Sequence, residues 1–236
     1  AAAATVAATV QAASRGRFVL GIGRGDSSLA HLGLAPATPE AFEHYLVRLQ
    51  GYLSGAELPF ETEADGAGVA PAAGRLGLAG GPSGSQIRWI ASAGQAGLPK
   101  VPVDVAATGP KVVAVAARRA ERVSFAVGAS AERIGWAVDQ YRRARAAEPG
   151  DDLHGIGAYL PVLVHPDRDA ARRHISGGVA SFARFSVMHG RVTGPAGESS
   201  RLALQEVHHA YDMNHHFSHG SPQSRDLPPE LVDEFG

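Results

Sequence analysis

The chain has 236 residues, enough for one large domain or two small ones. An apolar fraction of 44%, a charged fraction of 19% and a net charge of −1 describe a globular protein with no broad field to draw it to nucleic acid or a membrane. The absence of cysteine excludes disulfides, thiolate metal sites and a cysteine nucleophile, and fits a reducing cytoplasm.

No apolar run approaches the roughly 20 residues that span a bilayer. The opening stretch AAAATVAATVQAAS has neither the basic start nor the distinct apolar centre of a signal peptide. Its alanines predict a helix over residues 1–14, stopped by Ser14-Arg15-Gly16. Residues 17–23 form a continuous apolar run, the pattern of a strand buried on both faces. That run climbs into alternate glycines, Gly21, Gly23 and Gly25, and meets Asp26, Ser27 and Ser28 at once. Thr38-Pro39-Glu40 starts a helix: a capping hydroxyl, proline at the first helical position, then an acid. Phe42, Tyr45, Leu46, Leu49 and Leu53 follow at helical spacing, and Gly55 ends it. Residues 62–86, rich in Gly, Ala and Pro, read as a long loop excursion.

Strands are predicted at 101–107, 122–127 and 156–165. Helices are predicted at 111–119, from Ser130 to about Ala147 with Ile134, Val138 and Tyr141 on one face, and from about Asp167 to Met188. Strand and helix alternate four times, which means parallel strands joined by helical crossovers, in a doubly wound sheet or a β/α barrel. The chain begins without Met and closes on residues 231–236, which read as the approach to a further strand. We therefore expect the middle of a longer chain.

Three site chemistries compete for the glycine-rich segment. The dinucleotide fingerprint Gly-x-Gly-x-x-Gly needs glycine where Asp26 stands, and a helix at once where the next good cap is Thr38. A nucleotide-triphosphate loop fails as well, because Gly109-Pro110-Lys111 is followed by Val112, with no hydroxyl to hold magnesium. In a β/α barrel, site residues sit at the C-terminal ends of strands. There the first strand delivers Arg24, Gly25 and Asp26, the second Thr108 and Gly109, and the third Gly128 and Ala129. Small residues let a flat ring lie against the backbone. The amides of Gly109, Lys111 and Val112 open a helix and can hold a phosphate, whereas Pro110 has none to give. Simpler readings stand beside these: Asp26 as a turn cap, Arg24 as a surface ion pair, and Thr108-Gly109-Pro110 as an ordinary turn.

GRFVLGIGRGDS followed by PVDVAATGPKVVAVAA resembles the luciferase-like family of flavin- and deazaflavin-dependent oxidoreductases, in its methylenetetrahydromethanopterin-reductase branch. The tail HHAYDMNHHFSHGS resembles the same branch, so the likeness runs over most of the chain. It implies an α/β fold, a TIM-type β/α barrel of which this chain covers roughly strands 4–7. It implies hydride transfer between deazaflavin coenzyme F-420, or alternatively FMN, and a small organic substrate. It places Arg24 and Gly25 against the cofactor, Asp26 near the reactive ring as the catalytic residue, a proton donor or hydrogen-bond partner, and Thr108, Gly109, Lys111 and Val112 around the phosphate. FMN-using relatives more often carry an aromatic residue at the position of Asp26, which favours the deazaflavin. Relatives acting on sugar phosphates carry lysine where this chain has Ala129, which counts against a phosphosugar substrate.

His208, His209, His215, His216 and His219 crowd into twelve residues, but their spacing fits no defensible zinc motif, so no metal site is assigned. Arg142–Arg145 reads as a solvated helix face. The expected partners are a small-molecule substrate and further copies of the chain, as a homodimer or higher homo-oligomer. Two readings from other classes stay open: a histidine-metal hydrolase, and a barrel that binds a ligand without catalysis.

Overall fold

A computed structural model describes residues 1–61, 79–95, 97–147 and 155–236. Most of the expected 62–86 loop, residues 62–78, lies outside the described residues. The chain divides into two compact units, Ala1–Leu20 with Glu43–Val103, and Gly21–Phe42 with Asp104–Gly236.

In the first unit, helix α1 (Ala2–Ala13) buries Ala4, Ala7 and Gln11 along one face. Gln11 is satisfied inside: its side-chain amide donates to the Pro99 carbonyl at 3.1 Å and its oxygen accepts from the Phe18 N–H at 2.9 Å. This unit also holds most of helix α3 (Pro39–Leu53), which starts as the sequence predicts, with the Thr38 hydroxyl accepting from the Ala41 N–H. Its buried stripe is Phe42, Leu46, Leu49, Tyr52 and Leu53, whereas Tyr45 is 42% exposed, off the narrow stripe to which it was assigned. Helix α4 (Arg88–Gln95) completes the unit and buries Ile90.

The sheet runs β1 (Leu20–Ile22), β2 (Val103–Ala107), β3 (Arg122–Phe125), β4 (Gly155–Ala158), and its spatial order is the chain order. Strand β2 pairs parallel with β3, with Val105 opposite Val123, and β3 pairs parallel with β4, with Val123 opposite Ile156. The crossovers are α5 (Pro110–Arg119) and α6 (Ala131–Ala147). An order without reversal is what successive strands of a β/α barrel have, and it lacks the switch point of a dinucleotide-binding sheet. Val103, Val105 and Ala107 are fully buried on β2, and Val113, Ala116 and Ala117 of α5 are buried as well. A second core lies farther along, where α7 (Arg168–Phe185), α8 (Glu198–Ala210) and α9 (Pro229–Phe235) pack Val179, Leu204, Leu231 and Phe235 together.

Residues 231–236, read as the approach to a further strand, lie in helix α9 and its C-cap instead, and four other expectations are corrected. The run 17–23 yields only the three-residue β1, whose Leu20 and Ile22 are half-buried and whose Gly21 is exposed. The run 156–165 yields β4 over Gly155–Ala158, exposed throughout, and Val164 beyond it is 93% exposed. Both strands end the sheet order, so each has a hydrogen-bonded neighbour on one side only among the described residues. Thirdly, α6 turns Arg133, Ala137 and Tyr141 inward and leaves Ile134 and Val138 half-buried, a rotation of the face by one residue. Lastly, a short helix α2 (Asp26–Ala30) follows Gly25 directly, where no helix was expected before Thr38.

Candidate functional site

The end of β1 is turned by Gly25, whose φ of +88° lies in the left-handed region; a Cβ there would meet Leu29 at 2.8 Å. This turn brings Arg24 and Asp26 side by side. Arg24 Nη2 lies 3.4 Å from Asp26 Oδ1, and Nη1 donates to the Ala37 carbonyl at 2.9 Å. The two side chains keep 12% and 17% of their surface in solvent, so the pair is largely enclosed but reachable.

A cavity of about 300 Å³ opens over them, within the size range of small-molecule sites. One wall is the segment Gly23–Ser28; the others are Ala106 and Thr108 from the end of β2, Val112 from α5, Ala126 after β3, and Phe185 from the end of α7. The ends of three neighbouring strands therefore contribute, as the barrel rule requires. Ser27 Oγ is buried here with no hydrogen-bond partner among the described residues, an orphan polar atom on a ligand-sized cavity.

A second cavity, of about 390 Å³, adjoins the first and shares Arg24, Thr108, Val112 and Phe185 with it. Gly109, Pro110 and Lys111 line it from the start of α5. Gly109 is the N-cap, in extended backbone, and among the described residues no side chain caps the helix, so its first-turn N–H groups can take another acceptor. A Cβ on Gly109 would meet nothing within 4 Å, so the glycine leaves open space over those amides. The far wall is Met188, His189, Arg191 and Thr193, from the segment after α7. Glu40 reports the cations nearby: its carboxyl is held below the ordinary value by its own backbone N–H first, then by the Thr38 hydroxyl, with smaller contributions from Lys111 and Arg24.

The structure thus brings all seven sequence-predicted residues onto two adjoining cavities: Arg24, Gly25, Asp26, Thr108 and Val112 line the first, and Arg24, Thr108, Gly109, Lys111 and Val112 the second. Sequence reasoning missed Phe185, the last residue of α7, and His189 and Arg191 in the segment beyond it, none of which belongs to a motif. The histidine cluster lines neither cavity. His215 is bonded to Asp212 at 2.8 Å and His216 to the Tyr211 hydroxyl, itself 2.8 Å from Ser181 Oγ. His219 borders a separate cavity with Arg172 and Arg173. Among the described residues no group of three or more His, Asp or Glu could hold a metal ion. Nor, among them, is any helix long and apolar enough to cross a membrane.

These residues suit a ligand that is flat at one end and anionic at the other. The first cavity offers small residues, the Phe185 ring and a carboxylate; the second offers capless amides with Arg24, Lys111 and Arg191. Helix N-termini and guanidinium groups both favour phosphate.

A family model described as luciferase-like monooxygenase matches residues 1–236. Among solved structures, the chain is similar to the coenzyme F420 dependent tetrahydromethanopterin reductase from Methanopyrus kandleri, with a TM-score of 0.59 and 17% identity. The match covers 99% of this chain and 65% of the reductase, so the chain spans just under two thirds of that protein's length. At this identity the likeness shows the fold alone: an α/β fold with a parallel sheet, similar to the reductase's TIM-barrel fold, in which the four strands among the described residues do not close on themselves. No curated protein matches.

Proposed function

The chain belongs to the luciferase-like monooxygenase family, and from that premise we propose that it is an oxidoreductase that binds a deazaflavin or flavin across the two adjoining cavities. The observation that carries this reading is the division of labour between them: a carboxylate among small residues on one side, capless helix amides with cations on the other.

When bound, the cofactor would supply a ring that accepts or gives a hydride. The protein's part is to bind, orient and handle protons. Gly109, Lys111 and Val112 would hold the phosphate through backbone N–H groups, with Arg24 and Lys111 adding charge. Gly23 and Gly25 line the first cavity with backbone alone, between the side chains of Arg24 and Asp26, and Phe185 adds an apolar ring to its lining. Asp26, fixed by Arg24 at the mouth of the turn, would hold or supply a proton on the substrate side. Deazaflavin F-420 is preferred over FMN because an acid, not an aromatic residue, stands at position 26.

Asp26→Asn keeps the size of the side chain and removes its charge and its proton. Cofactor affinity should stay within a few-fold, while the rate of hydride exchange between bound cofactor and substrate should fall about 10²–10⁴-fold, the usual worth of a positioned acid. A variant that turns over at the wild-type rate would remove Asp26 from the chemistry.

A further inference from the structure

Helix α6 turns an arginine where an aliphatic residue would pack more cheaply. Arg133 is 1% exposed. Burying a guanidinium is strongly unfavourable unless its donors are met, and here they are met from every side. Nε donates to the Val127 carbonyl after β3, and Nη1 to the Pro195 carbonyl. Nη1 also lies 3.4 Å from Glu234 Oε1 on α9. Nη2 donates to Ser186 Oγ at 2.6 Å and to the Thr193 carbonyl at 3.0 Å. The Phe235 ring lies 4.7 Å beneath the guanidinium carbon. Burial pulls the group below its ordinary pKa and Glu234 opposes that pull.

Two of these bonds have a meaning beyond packing. Ser186 and Thr193 are the stems of one loop, closed by the Thr193 N–H donating to the Ser186 carbonyl at 2.7 Å. A single nitrogen of Arg133 therefore clamps both stems. Between them, Met188, His189 and Arg191 form the far wall of the cavity at the start of α5. The next residue, Gly194, sits at φ +83°, where a Cβ would come within 3.2 Å of the Trp136 ring and 3.4 Å of Arg133 Nη2. The loop is thus seated directly on α6.

We infer that Arg133 is a positioning residue: by pinning both stems of loop 186–193 it fixes the Arg191 wall opposite the amides of α5, and so sets the preference of that cavity for a phosphate-bearing ligand. The inference rests on the phosphate reading given above, and it assigns Arg133 no contact with the ligand.

The test compares ligands that differ only in the phosphate. FMN and riboflavin are titrated against the full chain by fluorescence, and the deazaflavin cofactor against its phosphate-free core. Arg133→Lys keeps the charge but cannot reach both stems. Ser186→Ala removes one anchor and decides the matter should Arg133→Lys fail to fold. Each variant should lose about ten-fold in affinity for the phosphate-bearing ligand, the worth of one charge-assisted contact, with the phosphate-free ligand bound as before. Arg191→Ala should weaken binding in the wild type and do little more in Arg133→Lys, because neighbours acting through one element are not additive. If both affinities fall together with the melting temperature, Arg133 is a core staple and the inference is overturned. It is equally overturned if a folded variant keeps the full phosphate preference. A wild type that binds both ligands of each pair alike would instead remove the phosphate reading on which it rests.

Discussion

Gly109→Leu perturbs the proposed phosphate end of the site without straining the fold. Gly109 has φ −135° and ψ 161°, extended backbone that any residue adopts. A Cβ there meets nothing within 4 Å, so no neighbour has to move. Replacing a glycine in a permitted conformation commonly adds about 0.4–1 kcal/mol by restricting the unfolded chain. The melting temperature should therefore hold or rise. The leucine side chain, however, would stand in the space of about 390 Å³ over the first turn of α5. A phosphate could then no longer reach the N–H groups of Lys111 and Val112. Hydrogen bonds to a charged group are worth about 1.5–3 kcal/mol each, and 1.4 kcal/mol is about ten-fold in affinity. Losing two of them predicts a dissociation constant weaker by about 10²-fold or more. Absorbance or fluorescence titration with the cofactor reads this, with a thermal melt alongside. Cofactor binding at full strength in a folded Gly109→Leu protein would refute the phosphate assignment.

Two further outcomes follow from the geometry. Gly25→Ala should lower stability by about 1–3 kcal/mol, because it places a Cβ at φ +88° and within 2.8 Å of Leu29; unchanged melting would show that the turn relaxes freely. His216 is held below its ordinary pKa by burial first, then by Arg184 and His31, and its Nδ1 faces the Tyr211 hydroxyl. The unfolded chain then takes up the proton first, so this group withdraws stability as pH falls below about 6.5 and has no effect above it. Melting curves between pH 7 and 5 should fall less steeply in His216→Asn, and an identical slope would clear His216 of that role.

Local signals were the legible part of this fold. Thr38-Pro39, Gly109-Pro110 and Asp167 announced the helix starts at α3, α5 and α7, because a cap is chemistry within three residues; Asp167 indeed accepts from the N–H groups of Asp169 and Ala170. Spacing alone misled where burial depends on distant partners. The inward face of α6 was misread because its first buried residue is a cation, whose donors are met by Val127 nearby and by Ser186, Thr193, Pro195 and Glu234 far along the chain. The apolar run 156–165 read as one long strand, yet only Gly155–Ala158 pair and Ile156 and Val164 are exposed, since hydrophobicity states a preference and not a neighbour. The strand-end half of the candidate site followed from the barrel rule and the family likeness. The wall of Phe185, His189 and Arg191 did not, because tertiary folding alone brings that segment to the start of α5.

The central claim is that the adjoining cavities at Asp26 and Gly109 hold one flavin-type cofactor. Purified protein titrated with deazaflavin F-420 and, separately, with FMN tests it directly through the visible absorbance of each. The expected result is a saturable change in the cofactor band at one equivalent per chain, stronger for the deazaflavin and weakened by Gly109→Leu. No spectral change with either cofactor, in protein that melts cooperatively, would contradict it.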